Sequence, residues 1–356
     1  MRRRFPFAIL FVSSALLFAA QAHAAYKYST LPSLGGPSSL AAGINNAGQV
    51  VGTSNDPDTF PRSTVWTKGK PVDQRPSDWL SWGAAINDKG QIAGSYGDSF
   101  GRFQISRAYA SPYPDSAMGN LGVSDSVALD INNHGLAVGE AYTGDWAGPP
   151  LYPFPFYGSH AVVWNGTTTT DLHPAGANLS IANAINDSNV IVGAVDSNAV
   201  LWNGGTMTTL GAGAAYDINN AGVIVGQAGN NAVMWNGGTQ TILGDGKANA
   251  LNILSQVVGI SNGHAFLWEH GAAIDLNNFI SAAAKNAGWV LEEAVGINDH
   301  GWIVGNAFNT VTLNYQAFLL SPAPEPSTWA MLLGGLGFLG WKARKTRRVG
   351  GMPAAA

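Results

Sequence analysis

Residues 217–226 read DINNAGVIVG, and close variants of this stretch occur seven times along the 356-residue chain. Each copy begins with an aliphatic residue, has Asn in second place and ends in Gly eight residues after its first residue. The copies start at Ile44, Ile86, Ile131, Ile185, Ile218, Leu251 and Ile297. Because a unit recurring every 33 to 54 residues is one supersecondary element copied along the chain, this repeat decides the architecture.

Each copy has the sequence of a tight hairpin. Five of the seven have Gly three residues after the Asn, which is the pattern of a type I turn whose last residue takes the left-handed conformation. Asn189 replaces this Gly in the fourth copy and tolerates the same conformation. Ser255 replaces it in the sixth and does not, so we expect the sixth hairpin to be irregular.

A second pair of strands follows each hairpin. An apolar run such as AVLW (199–202) precedes a Thr-rich piece such as TMTTLG (206–211), so each unit offers four strands. The shortest spacing, 33 residues, leaves no room for a helix, and we expect the longer spacings to add loop alone. Seven four-stranded units predict an all-β fold, a seven-unit β-propeller. The alternative is an open β-solenoid.

The ends of the repeat region predict how a ring would close. The seventh unit stops at QAFLLSPAP (316–324) without a fourth strand, whereas YKYSTLPSLGG (26–36) resembles a fourth strand without a unit before it. We expect residues 26–36 to complete the last blade and cover two strand edges. Five tryptophans recur at one strand position and are predicted to pack between blades: Trp66, Trp164, Trp202, Trp235 and Trp268.

The composition excludes several classes of protein. With 46% hydrophobic and 11% charged residues, and 45 glycines, the chain is a compact, turn-rich protein rather than a disordered one. Residues 25–321 hold 10 basic and 21 acidic side chains, a net charge of −11, which repels nucleic acid. Without cysteine, neither disulfides nor thiolate metal sites can form.

The chain ends predict export. Residues 1–24 have a basic start, an apolar run and small residues at Ala22 and Ala24, the layout of a secretory signal that signal peptidase cleaves after Ala24. The alternative is an uncleaved anchor. Residues 25–321 are predicted to form the β-repeat domain. Beyond it, a Pro-rich break precedes an apolar segment, residues 329–341, predicted as a short transmembrane helix in the inner membrane, and a basic stretch that leads to a cytoplasmic tail, 349–356.

Residues 322–348 resemble a known sorting signal. Pro324, Glu325 and Pro326, the Gly-rich apolar helix and the Arg-rich end are similar to the PEP-CTERM signal of Gram-negative bacteria. The resemblance implies that the signal holds the exported chain in the inner membrane until an exosortase recognises Pro-Glu-Pro and processes it. It also implies passage to the cell surface or the extracellular matrix. The alternative is a plain C-terminal anchor.

The repeat region also resembles a family. The hairpin pattern AxxINxxGxVVG, followed by HAFLW (264–268), is similar to HAF-type extracellular repeat proteins over nearly all of residues 30–320. This resemblance implies secretion and β repeats. It does not imply any particular activity.

Polar residues at repeat positions have a structural and a functional interpretation. Five aspartates flank the repeated Ile-Asn pair: Asp88, Asp130, Asp187, Asp217 and Asp299. They could gather near the axis for acid/base chemistry or calcium, but we expect them to accept hydrogen bonds from turn backbone. His160 and His264 share a slot that other units fill with Arg, Asn or Gln, so we predict no metal there. No motif indicates a cofactor.

The longest insertion, residues 140–160, is rich in proline and aromatic residues. Such a loop could stack aromatic rings on a saccharide, or could fold over its own blade. A second insertion, from Ser95, is predicted on the same side of the ring. The candidate ligand-binding residues are Tyr142, Trp146, Tyr152, Phe154, Phe156 and Tyr157.

The sequence therefore predicts a non-enzymatic surface or matrix protein that binds exopolysaccharide. The alternative is an extracellular glycan-acting enzyme with carboxylates in the channel. Three or more carboxylates at one mouth of the ring would favour the enzyme, and a bare channel with exposed loop aromatics would favour binding.

Overall fold

The computed structural model describes residues 26–75, 80–98, 105–110, 126–143 and 158–323, and Tyr26–Pro322 form one compact unit. The described residues form seven antiparallel sheets, six with four strands and the second with three. The prediction of an all-β, seven-bladed propeller is therefore confirmed. A fourth strand for the second blade would fall in residues 111–125, outside the described residues.

The strands of the first three blades follow chain order. Blade 1 contains β2 (Ser39–Ile44), β3 (Val50–Asn55), β4 (Pro61–Thr67) and β5 (Lys70–Asp73). Blade 2 contains β6 (Leu80–Ile86), β7 (Ile92–Asp98) and β8 (Ile105–Ala110). Blade 3 contains β9 (Ser126–Ile131), β10 (Leu136–Tyr142), β11 (Ser159–Asn165) and β12 (Thr168–Asp171).

Blades 4 to 6 repeat the same order. Blade 4 contains β13 (Ser180–Ile185), β14 (Ile191–Val195), β15 (Asn198–Asn203) and β16 (Thr206–Ala212). Blade 5 contains β17 (Ala214–Ile218), β18 (Ile224–Ala228), β19 (Asn231–Asn236) and β20 (Thr239–Asp245). Blade 6 contains β21 (Lys247–Leu251), β22 (Val257–Ser261), β23 (His264–Glu269) and β24 (Ala272–Asp275).

Blade 7 takes strands from both ends of the compact unit: β25 (Trp289–Ile297), β26 (Ile303–Asn309), β27 (Tyr315–Pro322) and β1 (Tyr26–Leu31). β1 pairs with β27, from Tyr26 opposite Pro322 to Leu31 opposite Ala317. The inner strands β2, β6, β9, β13, β17, β21 and β25 contact one another in sequence, and β25 contacts β2 again. The ring is therefore closed as predicted, which excludes the open solenoid. The pairing ends at Leu31, so residues 32–36 of the predicted segment belong instead to the link, 32–38, that leads to blade 1.

Every repeat forms the same tight hairpin. The repeated Asn donates its N–H to the carbonyl of the fourth following residue, and its own carbonyl accepts the N–H of the third. That third residue is left-handed in all seven copies, with φ of +75° at Gly48, +61° at Asn189 and +60° at Ser255. The prediction of an irregular sixth hairpin is wrong. The side chain of Asn252 accepts the N–H groups of Leu254 and Gln256, and these bonds hold Ser255 in the strained conformation.

The Gly that closes each copy is required for close approach rather than for its φ angle. A Cβ on Gly226 would lie 2.1 Å from the Ala214 carbonyl oxygen, and the other six closing glycines show 1.9 to 2.1 Å. The register of each inner strand shifts at this point, which is a β-bulge that brings the two backbones together.

The recurrent tryptophans pack between blades, as predicted. Each of the five is at most 5% exposed. Trp164 belongs to a cluster that includes Ala85 and Ala93 of blade 2, and Trp66 packs with Val304 of blade 7. Radial packing of this kind buries each sheet against its neighbour.

The link between blades 6 and 7 corrects the expectation that longer spacings add loop alone. It contains a 3-10 turn, Leu276–Phe279, and a short helix, α1, Ala282–Asn286. The side chains of Asp275 and Ser281 cap their N-termini by accepting the N–H groups of Asn277 and Ala284. Among the described residues no helix has the length and apolar character to cross a membrane. The predicted segment 329–341 lies outside those residues.

Candidate functional site

The repeated Asn joins the blades into a ring around the axis. The Nδ2 group of each donates to the backbone carbonyl of its counterpart in the next blade, at 2.8 to 3.2 Å, and Asn298 donates back to Asn45. The Oδ1 atom accepts N–H groups of its own turn, as in Asn219 from Ala221 and Val223. All seven side chains are buried. Sequence reasoning explained this Asn only through its own turn. Asn occurs in all seven copies, whereas Gly occurs at the turn in five. This difference was the overlooked sign that the Asn has a role beyond its own turn.

The residues that follow this Asn form a second ring, at the channel mouth. They are Asn46, Asp88, Asn133, Asp187, Asn220, Ile253 and Asp299. Backbone N–H groups donate to the Oδ1 atom of the next blade in six of the seven steps, at 2.8 to 3.0 Å. The missing step is from Asn220 to Ile253, because Ile253 has no side-chain oxygen.

Three carboxylates lie in this mouth ring, which is the arrangement set out above as favouring an enzyme. Asn46 donates to both Asp88 and Asp299, at 3.1 and 3.0 Å, so each carboxylate is already occupied by neighbouring blades. Partial burial alone would raise the pKa of Asp187, but hydrogen bonds from Asn133 and Asn220 outweigh it and hold the pKa below its ordinary value. The expectation that these aspartates accept backbone N–H groups is confirmed, with the donor in the adjacent blade.

A cavity of about 240 Å³ is lined by the two rings. Its lining also includes the aliphatic residue before each repeated Asn, so the wall combines amides and the three carboxylates with aliphatic residues. No three His, Asp or Glu side chains of the described ranges stand close enough together to hold a metal ion. The mouth can therefore present negative charge and amide groups to a solute.

Asp130 and Asp217 lie deeper in the channel and line a second cavity of about 220 Å³. One oxygen of Asp130 accepts the N–H of Ile131, and the other accepts the N–H of Ile185 in the next blade. Asp217 bonds to Ile218 and Leu251 in the same way. Burial raises the pKa of Asp130 to about 6. Burial, with the nearby charge of Asp130, raises the pKa of Asp217 to about 7. Both carboxyl groups therefore have pKa values closer to neutral pH than an ordinary aspartate has.

The two histidines of the shared slot pair with aspartates of their own blades. His160 Nδ1 lies 2.8 Å from Asp171 Oδ2, and His264 Nδ1 lies 2.8 Å from Asp275 Oδ2. The ring of His160 also stacks on His173, with centroids 3.8 Å apart. The geometry gives both slot histidines a structural contact that links the third and fourth strands.

The two ends of the propeller differ in what they carry. The hairpin face holds the seven turns and both ends of the compact unit, since a Cβ on Gly301 would lie 3.5 Å from Pro322 and 4.0 Å from the hydroxyl of Tyr26. The loop face is the opposite end, where second strands connect to third strands. Strand order places the bases of the blade 2 loop (99–104) and the blade 3 loop (144–157) on this face.

The candidate ligand loop is closed at its base. The N–H and the hydroxyl of Thr143 both donate to the Gly158 carbonyl at 3.0 Å. Of the six predicted residues, only Tyr142 is described, and its hydroxyl donates to Glu140 at 3.0 Å. The other five lie outside the described residues: Trp146, Tyr152, Phe154, Phe156 and Tyr157. Pro324, Glu325 and Pro326 of the predicted sorting signal also lie outside them.

Comparison with known families identifies the C-terminal signal. Residues 322–348 match the PEP-CTERM protein-sorting motif, as the sequence predicted. The motif implies an exported protein that an exosortase sorts to the cell envelope or surface of a Gram-negative bacterium. No curated protein matches the chain.

Proposed function

We propose that the propeller is a non-enzymatic surface or matrix protein that binds exopolysaccharide on its loop face. The observation that carries the proposal is the separation of the two faces. Both ends of the compact unit, and with them the exit toward the sorting signal, lie on the hairpin face. The described residues at the two ends of the aromatic insertion lie on the opposite face, where the insertion can contact ligands outside the cell. We retain the HAF-type assignment within this proposal, on the repeated hairpin and the HAFLW strand.

The chemistry of the insertion supports a saccharide ligand. Aromatic rings cover the apolar CH faces of sugars, and prolines limit the conformations that must be lost on binding. The described hydrogen bonds between Thr143 and Gly158 hold the two ends of the loop together. Because residues 25–321 carry a net charge of −11, a neutral polysaccharide is favoured over an acidic one.

Binding of the full-length protein in mild detergent to immobilised neutral and acidic polysaccharides tests the proposal. Replacing Trp146, Tyr152, Phe154, Phe156 and Tyr157 together by Ala should weaken binding to the neutral polymers at least tenfold. The control is Ile253→Ala with Leu254→Ala on the hairpin face, where the wild-type residues are 44% and 68% exposed. Equal binding by the wild type and the five-residue variant would refute the role of the loop.

Besides the three carboxylates of the mouth ring, a second observation favours the alternative, a glycan-acting enzyme. Asp130 and Asp217 share a cavity and have raised pKa values, as a general acid requires. Against it, both oxygens of each carboxylate already accept backbone N–H groups. Release of reducing ends from the same polysaccharides, abolished by Asp217→Asn, would establish the enzyme and overturn the non-enzymatic part of the proposal.

A further inference from the structure

We infer that the seam between blade 7 and blade 1 carries a second saccharide site, one that takes an uncharged pyranose. A cleft of about 150 Å³ opens there on the loop face. Its walls come from three distant segments: the β1–β2 link, the start of β25, and the loop and strand start at 312–316. The link that joins the closing strand β1 to blade 1 therefore forms one wall of this cleft.

Two aromatic residues supply the apolar part of the cleft. Trp289 is half-buried and packs against the core cluster of blades 6 and 7. Tyr315 is 40% exposed, and its ring lies 5.0 Å from that of Phe308, which fixes its position. A pyranose has one face of CH groups that stacks on rings of this kind, whereas its hydroxyls point outward to polar groups.

Polar side chains with unused hydrogen-bonding capacity line the same cleft. In the described part of the chain, Ser38, Thr312, Asn314 and Gln316 form no side-chain hydrogen bond with protein. Each amide offers two donors and an acceptor, and each hydroxyl offers both functions, which matches the vicinal hydroxyls of a sugar. Water occupies such groups when no ligand is bound, and sugar hydroxyls can replace it.

The loop that carries these groups is held in place by its own hydrogen bonds. The Asn309 side chain accepts the N–H groups of Val311 and Thr312 at 2.9 Å, and Asn309 donates its backbone N–H to the Asn314 carbonyl. Thr310 is tied to the Gly288 carbonyl by its N–H and its hydroxyl. A fixed loop lowers the entropy that binding must overcome.

The absence of charged side chains from the lining of the cleft favours an uncharged ligand. None of its lining residues is Asp, Glu, Lys, Arg or His. A uronic acid or sulfated sugar would find no cation there and would be repelled by the net charge of −11 of residues 25–321. The site is thus expected to prefer neutral hexose units.

This inference rests on the proposed function for the class of ligand, but on different residues for the site. Calorimetric titration of the full-length protein in mild detergent with a neutral glucan hexamer and an alginate hexamer tests it. Tyr315→Ala and Asn314→Ala should each weaken glucan binding about tenfold, and alginate should bind less tightly than glucan. Leu313→Ala is the matched control, because this residue is 69% exposed in the same loop and does not line the cleft.

Unchanged glucan affinity in Tyr315→Ala and Asn314→Ala, with thermal stability retained, would overturn the inference. Equal or tighter binding of alginate would overturn the selection for an uncharged ligand. Titration of the five-residue loop variant separates the two proposals. If that variant binds normally and Tyr315→Ala does not, the seam site stands and the role of the 144–157 loop fails. The reverse result removes the seam site and leaves the proposed function.

Discussion

Replacing Asn219 by Ala tests whether the repeated Asn holds the ring together. Its side chain donates to the Asn252 carbonyl of blade 6 and accepts the N–H groups of Ala221 and Val223, all at 3.0 Å. Asn219 is 8% exposed and Val223 is 5% exposed, so the remaining groups cannot bond freely to water. At about 1 kcal/mol for each hydrogen bond, the loss should reach about 3 kcal/mol of unfolding free energy.

A thermal melt followed by circular dichroism, on the full-length protein in mild detergent, measures this loss. For a folded unit of this size about 3 kcal/mol corresponds to a fall of about 5 °C in Tm. Asn220→Ala is the control, because the side chain of this exposed neighbour bonds, within the described part of the chain, to Asp187 alone, and its loss should cost about 1 kcal/mol or less. A loss for Asn219→Ala no greater than that of Asn220→Ala would refute the reasoning.

Asn219→Asp separates the two roles of this side chain. A carboxylate keeps the acceptor for Ala221 and Val223, but it replaces the Nδ2 donor by an oxygen facing the Asn252 carbonyl. If the side chain served its own turn alone, the variant would be as stable as wild type. We expect it to be destabilised at neutral pH at least as much as Asn219→Ala, because a buried charge then faces an acceptor.

Three further predictions concern single positions. Gly226→Ala should prevent folding or cost several kcal/mol in a denaturant melt, because the new Cβ would lie 2.1 Å from the Ala214 carbonyl oxygen. Ser255→Gly should raise Tm, with a gain of about 1 kcal/mol, because it relieves a φ of +60°. Asp217 has a pKa of about 7 in the fold, against 3.8 ordinarily, so the fold binds this proton more tightly. Stability should therefore fall as pH rises from about 4 to about 7, and Asp217→Asn should flatten that part of the profile.

The first two of these predictions have matched control variants, and the third has a result that would contradict it. Gly229→Ala adds a Cβ that meets nothing within 4 Å, at φ of +58°, so it should cost only about 1 kcal/mol. Ser188→Gly changes the same residue type in a turn without relieving a positive φ, and should not stabilise the fold. A wild-type profile that rises between pH 4 and pH 7 would contradict the assignment of Asp217.

Most of the fold could be predicted because the sequence features that determine it are local and recur in each unit. The Asn-to-Gly turn, the recurrent tryptophans and the strand at 26–31, which has no unit before it in the sequence, each have a signal within a few residues. The sixth hairpin was mispredicted because only the low preference of Ser255 for the left-handed conformation was considered. The hydrogen bonds accepted by the Asn252 side chain hold the turn in that conformation nonetheless. The helix at 282–286 was missed because only the length of its segment was considered.

The sites were less predictable, because they depend on contacts between distant parts of the chain. The bond from Asn219 to Asn252 crosses 33 residues and is invisible in either turn alone. The seam cleft joins Ser38, Trp289 and Asn314, which no short motif links. The carboxylates of the mouth ring were identified as repeat positions, but whether they meet a ligand or a neighbouring blade depends on the ring geometry.

The pairing of Tyr26 with Pro322 sets an order of events during export. The first and the last residues of the propeller are strand partners, so blade 7 stays incomplete until residue 322 has crossed the membrane. Six blades can assemble from segments as they arrive, whereas the seventh waits for Pro322, the residue at which the sorting motif begins. Sealing of the ring and arrival of that signal are thus consecutive steps in the life of one molecule.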